Sequence, residues 1–295
     1  MAIALISATL FCSCRPTPQW YRRDLVHAEL PDAVALNPGA GQGDSLFVVV
    51  RFDDGDEAVF GVDTGSPVTI LDRSLEGKLG KRLATKKISS GWLGDWMVGV
   101  YPSPRIYMGK TPLKMDQNVW TTDLVRLWPN RRLMGVLGMD CLHRYCIQLD
   151  FTSHHLRFID PDSRQDWGQT FPLEVTRAGV TIRTSFMNAG DVSNGIDSAE
   201  YLDGSLTSDQ FQRALQANLG ALVSQRTNAN GTVFREARFK SGNFGGESYS
   251  DVVVREHPNG ENTIGLRMLA RHLVTLNFPK QTMYLRRRSE LKVEN

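Results

Sequence analysis

Phe60-Gly61-Val62-Asp63-Thr64-Gly65-Ser66-Pro67-Val68-Thr69-Ile70-Leu71 is the stretch on which the reading of the chain turns. An acid, a hydroxyl and a glycine stand in a row, walled on both sides by apolar and β-branched residues. A carboxylate inside an apolar, strand-like run is costly to desolvate unless hydrogen bonds surround it. Thr64, Ser66 and the backbone N–H groups of a tight turn at Gly65 are candidates for that shell. Such a mounting suits a carboxylate that works at a dry site. Alone, the tripeptide is a weak signal: by composition it arises in about one chain in twenty of this length. Its weight depends on whether the rest of the chain is built to use it.

Working outward, Leu46-Phe47-Val48-Val49-Val50, a turn at Asp53-Asp54-Gly55 and Ala58-Val59-Phe60-Gly61-Val62 read as a hairpin that delivers Asp63 at the end of its second strand. Residues 85–125 continue as short β-type segments with turns. Among them, Ser89-Ser90-Gly91-Trp92-Leu93-Gly94-Asp95-Trp96 has the glycines and aromatics of a mobile hairpin tip. Met134-Gly135-Val136-Leu137 then closes on Gly138 and a short helix. A further hairpin, Ile147–Phe151 with Leu156–Ile159, follows it. Upstream, residues 19–44 are irregular. Their Gly39-Ala40-Gly41-Gln42-Gly43 neither follows a strand nor opens a helix, as a phosphate-binding loop must, and the segment reads as a linker. The apolar Ala2–Phe11 run ahead of Cys12-Ser13-Cys14 is too short to span a bilayer. It fits a signal-peptide core over residues 1–18, without a charged leading region, and with a lipobox-like Cys14. That predicts export to a bacterial envelope compartment or beyond, with a membrane tether if Cys14 is lipidated. A buried first strand is the other reading.

Beyond a linker-like stretch from Asp160 to Gly168, the plan repeats. Val180–Phe186 is a strand, Asn188-Ala189-Gly190 a turn, and Gly195-Ile196-Asp197-Ser198-Ala199 ends on an acid again. At an offset of 127, Thr263–Phe278 superposes on the block around Gly138: Leu142 meets Leu269, Arg144 meets Arg271, Leu149 meets Leu276 and Phe151 meets Phe278. Asp63 and Gly138 are 75 residues apart, Asp197 and Gly265 68. A repeat of this kind means two copies of one unit.

Two copies of an acid turn, each followed by an apolar-apolar-Gly element, resemble the pepsin and retropepsin-like aspartic proteases. The matching elements are Asp63-Thr64-Gly65-Ser66 with Val136-Leu137-Gly138, and Asp197-Ser198-Ala199 with Thr263-Ile264-Gly265. The likeness covers roughly residues 45–288, closely in the first copy and loosely in the second. The short lobes and the Gly138–Tyr145 helix are more similar to bacterial retropepsin-type domains in tandem. The resemblance implies a mostly β, bilobal fold, with β-barrel lobes at 45–162 and 168–290 flanking a cleft. It makes Asp63 and Asp197 the catalytic pair, with Thr64 and Ser198 locking the turns together and Gly65, Ser66 and Ala199 in support. A flap near Gly91 and Trp92 would cover the cleft. The implied partner is a peptide or protein substrate, acted on by a monomer without cofactor or metal.

Two carboxylates a few ångströms apart cannot both ionise cheaply, so one proton is shared and the pair titrates in coupled steps. The second copy departs from the pattern. Ala199 replaces glycine, which is tolerable only if φ there stays negative. Glu200 stands where the first copy has Ser66, and as a like charge it is expected to raise the pair's pKa values. An active but detuned protease and an inactive peptide-binding module both remain open on these residues.

Composition narrows the field. The 295 residues are 41% hydrophobic and 22% charged, and 34 basic against 32 acidic side chains leave a net charge of +2. That balance predicts no nucleic-acid partner. Gly61–Gly65 also has the outline of a nucleophile elbow, but that elbow must open a helix, and Pro67 followed by Val68-Thr69-Ile70 favours extended chain. His154-His155 has no third metal ligand nearby. Asp140 and His143 read as a surface pair on a short helix. Cys141 and Cys146 are close enough to bridge, though free buried thiols are commoner.

Overall fold

The computed structural model describes residues 30–90, 94–127, 133–163, 165–176, 179–218, 221–227, 233–258 and 260–288. The expected leader, with Cys12 and Cys14, and the Gly91–Trp92 tip lie outside these residues. No helix among those described is long and apolar enough to cross a membrane.

The first half of the chain contributes β1 (Val34–Ala35), β2 (Phe47–Phe52), β3 (Glu57–Val62), β4 (Ile70–Asp72), β5 (Ala84–Ser90), β6 (Gly94–Pro102), β7 (Ile106–Met108), β8 (Thr111–Pro112), β9 (Asn118–Thr122), β10 (Gly135–Leu137), β11 (Cys146–Asp150) and β12 (His155–Ile159). The second half adds β13 (Gln169–Thr176), β14 (Gly179–Ser185), β15 (Asp191–Asp197), β16 (Gly204–Leu206), β17 (Leu222–Thr227), β18 (Val233–Phe244), β19 (Glu247–Glu256), β20 (Thr263–Gly265), β21 (His272–Asn277) and β22 (Thr282–Arg287). Side-chain alternation explains the flanking strands. In β2, Val48, Val50 and Phe52 are buried while Val49 faces out. β21, by contrast, is buried at every residue and lies deep in its sheet.

The strands form two sheets. One runs β5-β6-β9-β4-β10-β3-β2-β7-β8, the other β1-β12-β11-β21-β22-β13-β14-β15-β20-β16-β19-β18-β17. Both halves use one wiring around the acid. β3 pairs in parallel with β10, placing Val62 opposite Leu137, and β10 runs antiparallel to β4. Likewise β15 pairs in parallel with β20, placing Asp197 opposite Gly265, and β20 runs antiparallel to β16. The next neighbours, β9 and β19, are parallel in both. Gly138 and Gly265 end the crossing strands because the chain passes too close for a side chain there. A Cβ would collide with Val68 backbone at the first and with the Leu202 carbonyl at the second.

The expected barrel lobes are not closed: among the described residues no strand pairing joins the ends of either sheet. The hairpin β11–β12 is drawn instead into the sheet of the second half, where β11 pairs antiparallel with β21. In that ladder Gln148 faces Thr275, its own counterpart at the offset of 127. A position that faces its repeat equivalent marks the pseudo-two-fold axis. The Gln148 Nε2 donates to the Thr275 Oγ1 across it at 3.0 Å.

Other segments are more deeply set than their composition suggests. In the stretch expected as a linker, Leu36 and Ala40 are buried, β1 pairs with β12, and Phe47 N donates to Asn37 Oδ1 at 2.9 Å. Asp140 and His143 are not a surface pair. Both are buried, because the one-turn helix Met139–Leu142 follows the crossing strand into the lobe. Cys141 and Cys146 are free and buried, and burial pushes both thiols up, Cys146 to about 12.

Candidate active site

Each acid sits where its strand leaves the sheet. Asp63 N donates to Leu137 O at 3.0 Å, so the crossing strand clamps the start of the first turn. Gly65 N and Ser66 N then donate to Asp63 Oδ1 at 2.8 and 3.1 Å. In the second turn Ala199 N and Glu200 N donate to Asp197 Oδ1 at 2.9 and 3.1 Å. The two turns are the same device to within 0.1 Å in these bonds. Alanine is accommodated because Ala199 is not among the residues with positive φ.

The turns face each other. A Cβ placed on Gly65 would lie 3.2 Å from Asp63 Oδ1 and 3.4 Å from Asp197 Oδ1, so both carboxylates crowd the same few ångströms. Thr64 and Ser198 hold them there. Thr64 Oγ1 donates to Ile196 O at 2.5 Å and Ser198 Oγ to Val62 O at 2.7 Å. In return Ser198 N donates to Thr64 Oγ1 at 3.1 Å and Thr64 N to Ser198 Oγ at 3.0 Å. Both residues are fully buried, and each ties its own turn to the opposite strand. Ser66 does something else: its hydroxyl donates to Val68 O at 2.9 Å and so shapes the chain after the turn.

The acids do not share one environment. Burial pushes the Asp63 carboxyl up, to about 7, and the neighbouring Asp197 pushes the same way. Burial also raises Asp197, but the two turn amides, then Arg255 and His257, act against it. Both carboxylates are thus pushed up, and the pair holds one proton between them as a coupled unit, with Arg255 and His257 favouring the ionised form on the Asp197 side.

Glu200 is not the bare like charge expected from its position. Arg255 Nη1 holds its carboxylate at 3.2 Å, with both side chains buried. Arg255 Nη2 also donates to the Tyr201 hydroxyl at 2.7 Å, and the guanidinium carbon stands 5.2 Å from the Tyr201 ring and 4.9 Å from the Phe234 ring. A guanidinium laid on aromatic faces loses less on burial than an ammonium would. Sequence reasoning missed Arg255 and His257. The signal was an arginine at the end of the apolar run Val252-Val253-Val254, brought to the site by the parallel pairing of Ser205 with Arg255.

Among the described residues no group of three or more His, Cys, Asp or Glu side chains is placed to hold a metal ion. No protein-family model matches the sequence, and neither does any curated protein. Solved structures do. The chain aligns with an aspartic proteinase from Irpex lacteus at a TM-score of 0.55 and 15% identity, covering 87% of this chain and 97% of that one. It aligns with basic 7S globulin from soybean at 0.54 and 11%, covering 86% and 95%. The fold is pepsin-like and bilobal. One neighbour is named a proteinase and the other a globulin. At these identities the likeness speaks for the fold alone, and function has to be argued from the site.

Proposed function

We propose that the chain is an aspartic endopeptidase that hydrolyses peptide bonds with a water activated between Asp63 and Asp197. The observation carrying this reading is the pair of facing carboxylates in matched turns, interlocked by Thr64 and Ser198. Asp197, ionised, takes a proton from the water as its oxygen attacks the amide carbonyl carbon. Asp63, protonated, gives its proton to the carbonyl oxygen. The resulting diol collapses as Asp197 returns its proton to the amide nitrogen, the C–N bond breaks, and a diol hydroxyl reprotonates Asp63. On this reading the two halves are tandem lobes of the bacterial retropepsin type in a monomer. The chain is exported to the cell envelope, with Cys14 as its lipid tether; mass spectrometry finding an intact Met1 on the native protein would contradict export.

A second reading has one observation in its favour. Ala199 and Asp63 line the same small cavity beside the pair, so a methyl group stands where the first turn leaves its glycine open. A cleft narrowed there binds peptides without cutting them. Turnover of a peptide library between acid and neutral pH decides. The endopeptidase reading expects cleavage by the wild type, lost in Asp63→Asn and in Asp197→Asn. Binding without cleavage by the wild type supports the second.

A further inference from the structure

A groove of about 1420 Å³ runs along the first lobe, between the residues that follow the Asp63 turn and the 102–118 segment. Its charges are unequal. Five cationic side chains, among them Lys86, Lys110 and Arg144, line it against two carboxylates, Asp116 and Asp140. Asp116 is already engaged, in an ion pair with Arg144. Asp140 is only 7% exposed. Its Oδ1 accepts from Thr69 Oγ1 at 2.8 Å, while its Oδ2 has no hydrogen-bond partner among the described residues.

The second lobe shows what completes such a corner. There Asp203, fully buried, accepts from Arg267 at 2.7 Å, from Arg271 at 3.0 Å and from Val253 N at 2.8 Å. At the offset of 127, Arg271 falls on Arg144 and Arg267 on Asp140. The residues leading into β4, Pro67-Val68-Thr69, bring no carboxylate to match Asp203. The first lobe thus keeps one arginine of the cradle, turned to Asp116 rather than to an acid leading into β4, and has open space beside it.

We propose that this groove is an exosite for an acidic segment of the polypeptide substrate, whose carboxylates answer the surplus cations of its walls, Lys86 and Lys110 among them. The partner's identity as substrate rests on the endopeptidase reading, since Pro67 and Val68 join the groove directly to the Asp63 turn. The chemistry of the walls selects a polypeptide. Acidic side chains answer the cations, and the continuity of the groove with the Asp63 turn through Pro67 and Val68 makes the polypeptide being cut the occupant.

The test is fluorescence anisotropy of a labelled hexaglutamate peptide with the full-length Asp63→Asn chain, so that no turnover intervenes. Binding is expected, with Lys86→Gln, Lys110→Gln and Arg144→Gln each weakening it about two- to fivefold and added salt weakening it further. The two lysine variants change groove-lining side chains on the surface and keep the test readable if Arg144→Gln fails to fold. Equal affinity in the lysine variants, absence of binding, or equally tight binding of an oligothymidylate of the same charge would overturn the exosite. Hexaglutamate binding together with a wild-type chain that cleaves no peptide would retain the site and refute only the endopeptidase reading.

Discussion

The Asp63 and Asp197 turns are alike in backbone and unlike in surroundings. Each carboxylate accepts the same pair of amide N–H groups, and each turn is pinned through a buried hydroxyl to the opposite strand. Around Asp63 lie the Gly65 turn and the facing Asp197. Behind Asp197 stand Glu200, Arg255 and His257. Main-chain bonds and two hydroxyls suffice to build the turn, so the glycine and serine of the first copy can become alanine and glutamate in the second. Charges farther out then make the two acids inequivalent.

The largest expected effect comes from removing the pair itself. Asp63→Asn and Asp197→Asn should each lower peptide turnover by at least about 10²–10⁴-fold, the usual weight of a lost general acid or base. Retention of activity in Asp197→Asn would mean that the turns are alike in form only. Asp63→Asn also has a stability signature. The Asp63 carboxyl titrates higher in the folded chain, about 7, than its ordinary 3.8. Between those values the native state holds a proton that the unfolded chain has released. Its contribution is therefore complete below about pH 4 and lost as pH rises through about 7. Thermal unfolding measured from pH 4 to 8 should show that decline in the wild type and a shallower one in Asp63→Asn.

Next in size is the charge pair behind the second turn. Arg255→Leu leaves Glu200 buried and unpaired, which costs about 3–5 kcal/mol. Chemical denaturation should show this loss, and adding Glu200→Leu should recover most of it. If the single variant is as stable as the wild type, Arg255 does not offset the Glu200 charge. Ser198→Ala should cost about 1–3 kcal/mol, since it strands the Val62 carbonyl and the Thr64 N–H in the interior. The smallest effect belongs to Ala199→Gly. Removing the methyl beside Asp63 lets water approach, so the upper limb of the pH–activity profile should move to lower pH by less than about one unit. An unchanged limb would show that the methyl does not desolvate the pair.

Much of the site was legible because it is local. The strand–acid–turn unit, its second copy and the glycine of each crossing strand are short-range patterns, and an offset of 127 aligns the later blocks. The offset even locates the axis, at Gln148 facing Thr275. What was misread depended on partners distant in the chain. Asp140 and His143 looked like a surface pair because a one-turn helix gives no sign of which side is covered. That the hairpin β11–β12 joins the sheet of the second half was not visible, because β11 finds its neighbour in β21, 127 residues on. Glu200 looked like an unopposed charge because Arg255 lies 55 residues away.

By itself the sequence determined that there are two acid-bearing β units and that they are copies, since periodicity and repetition are properties of spacing along the chain. The tertiary structure alone decided that the two carboxylates share one site and that Arg255 and His257 stand behind only one of them. Desolvation and Coulomb interaction act through space over a few ångströms, and only the folded chain sets which groups lie within that range.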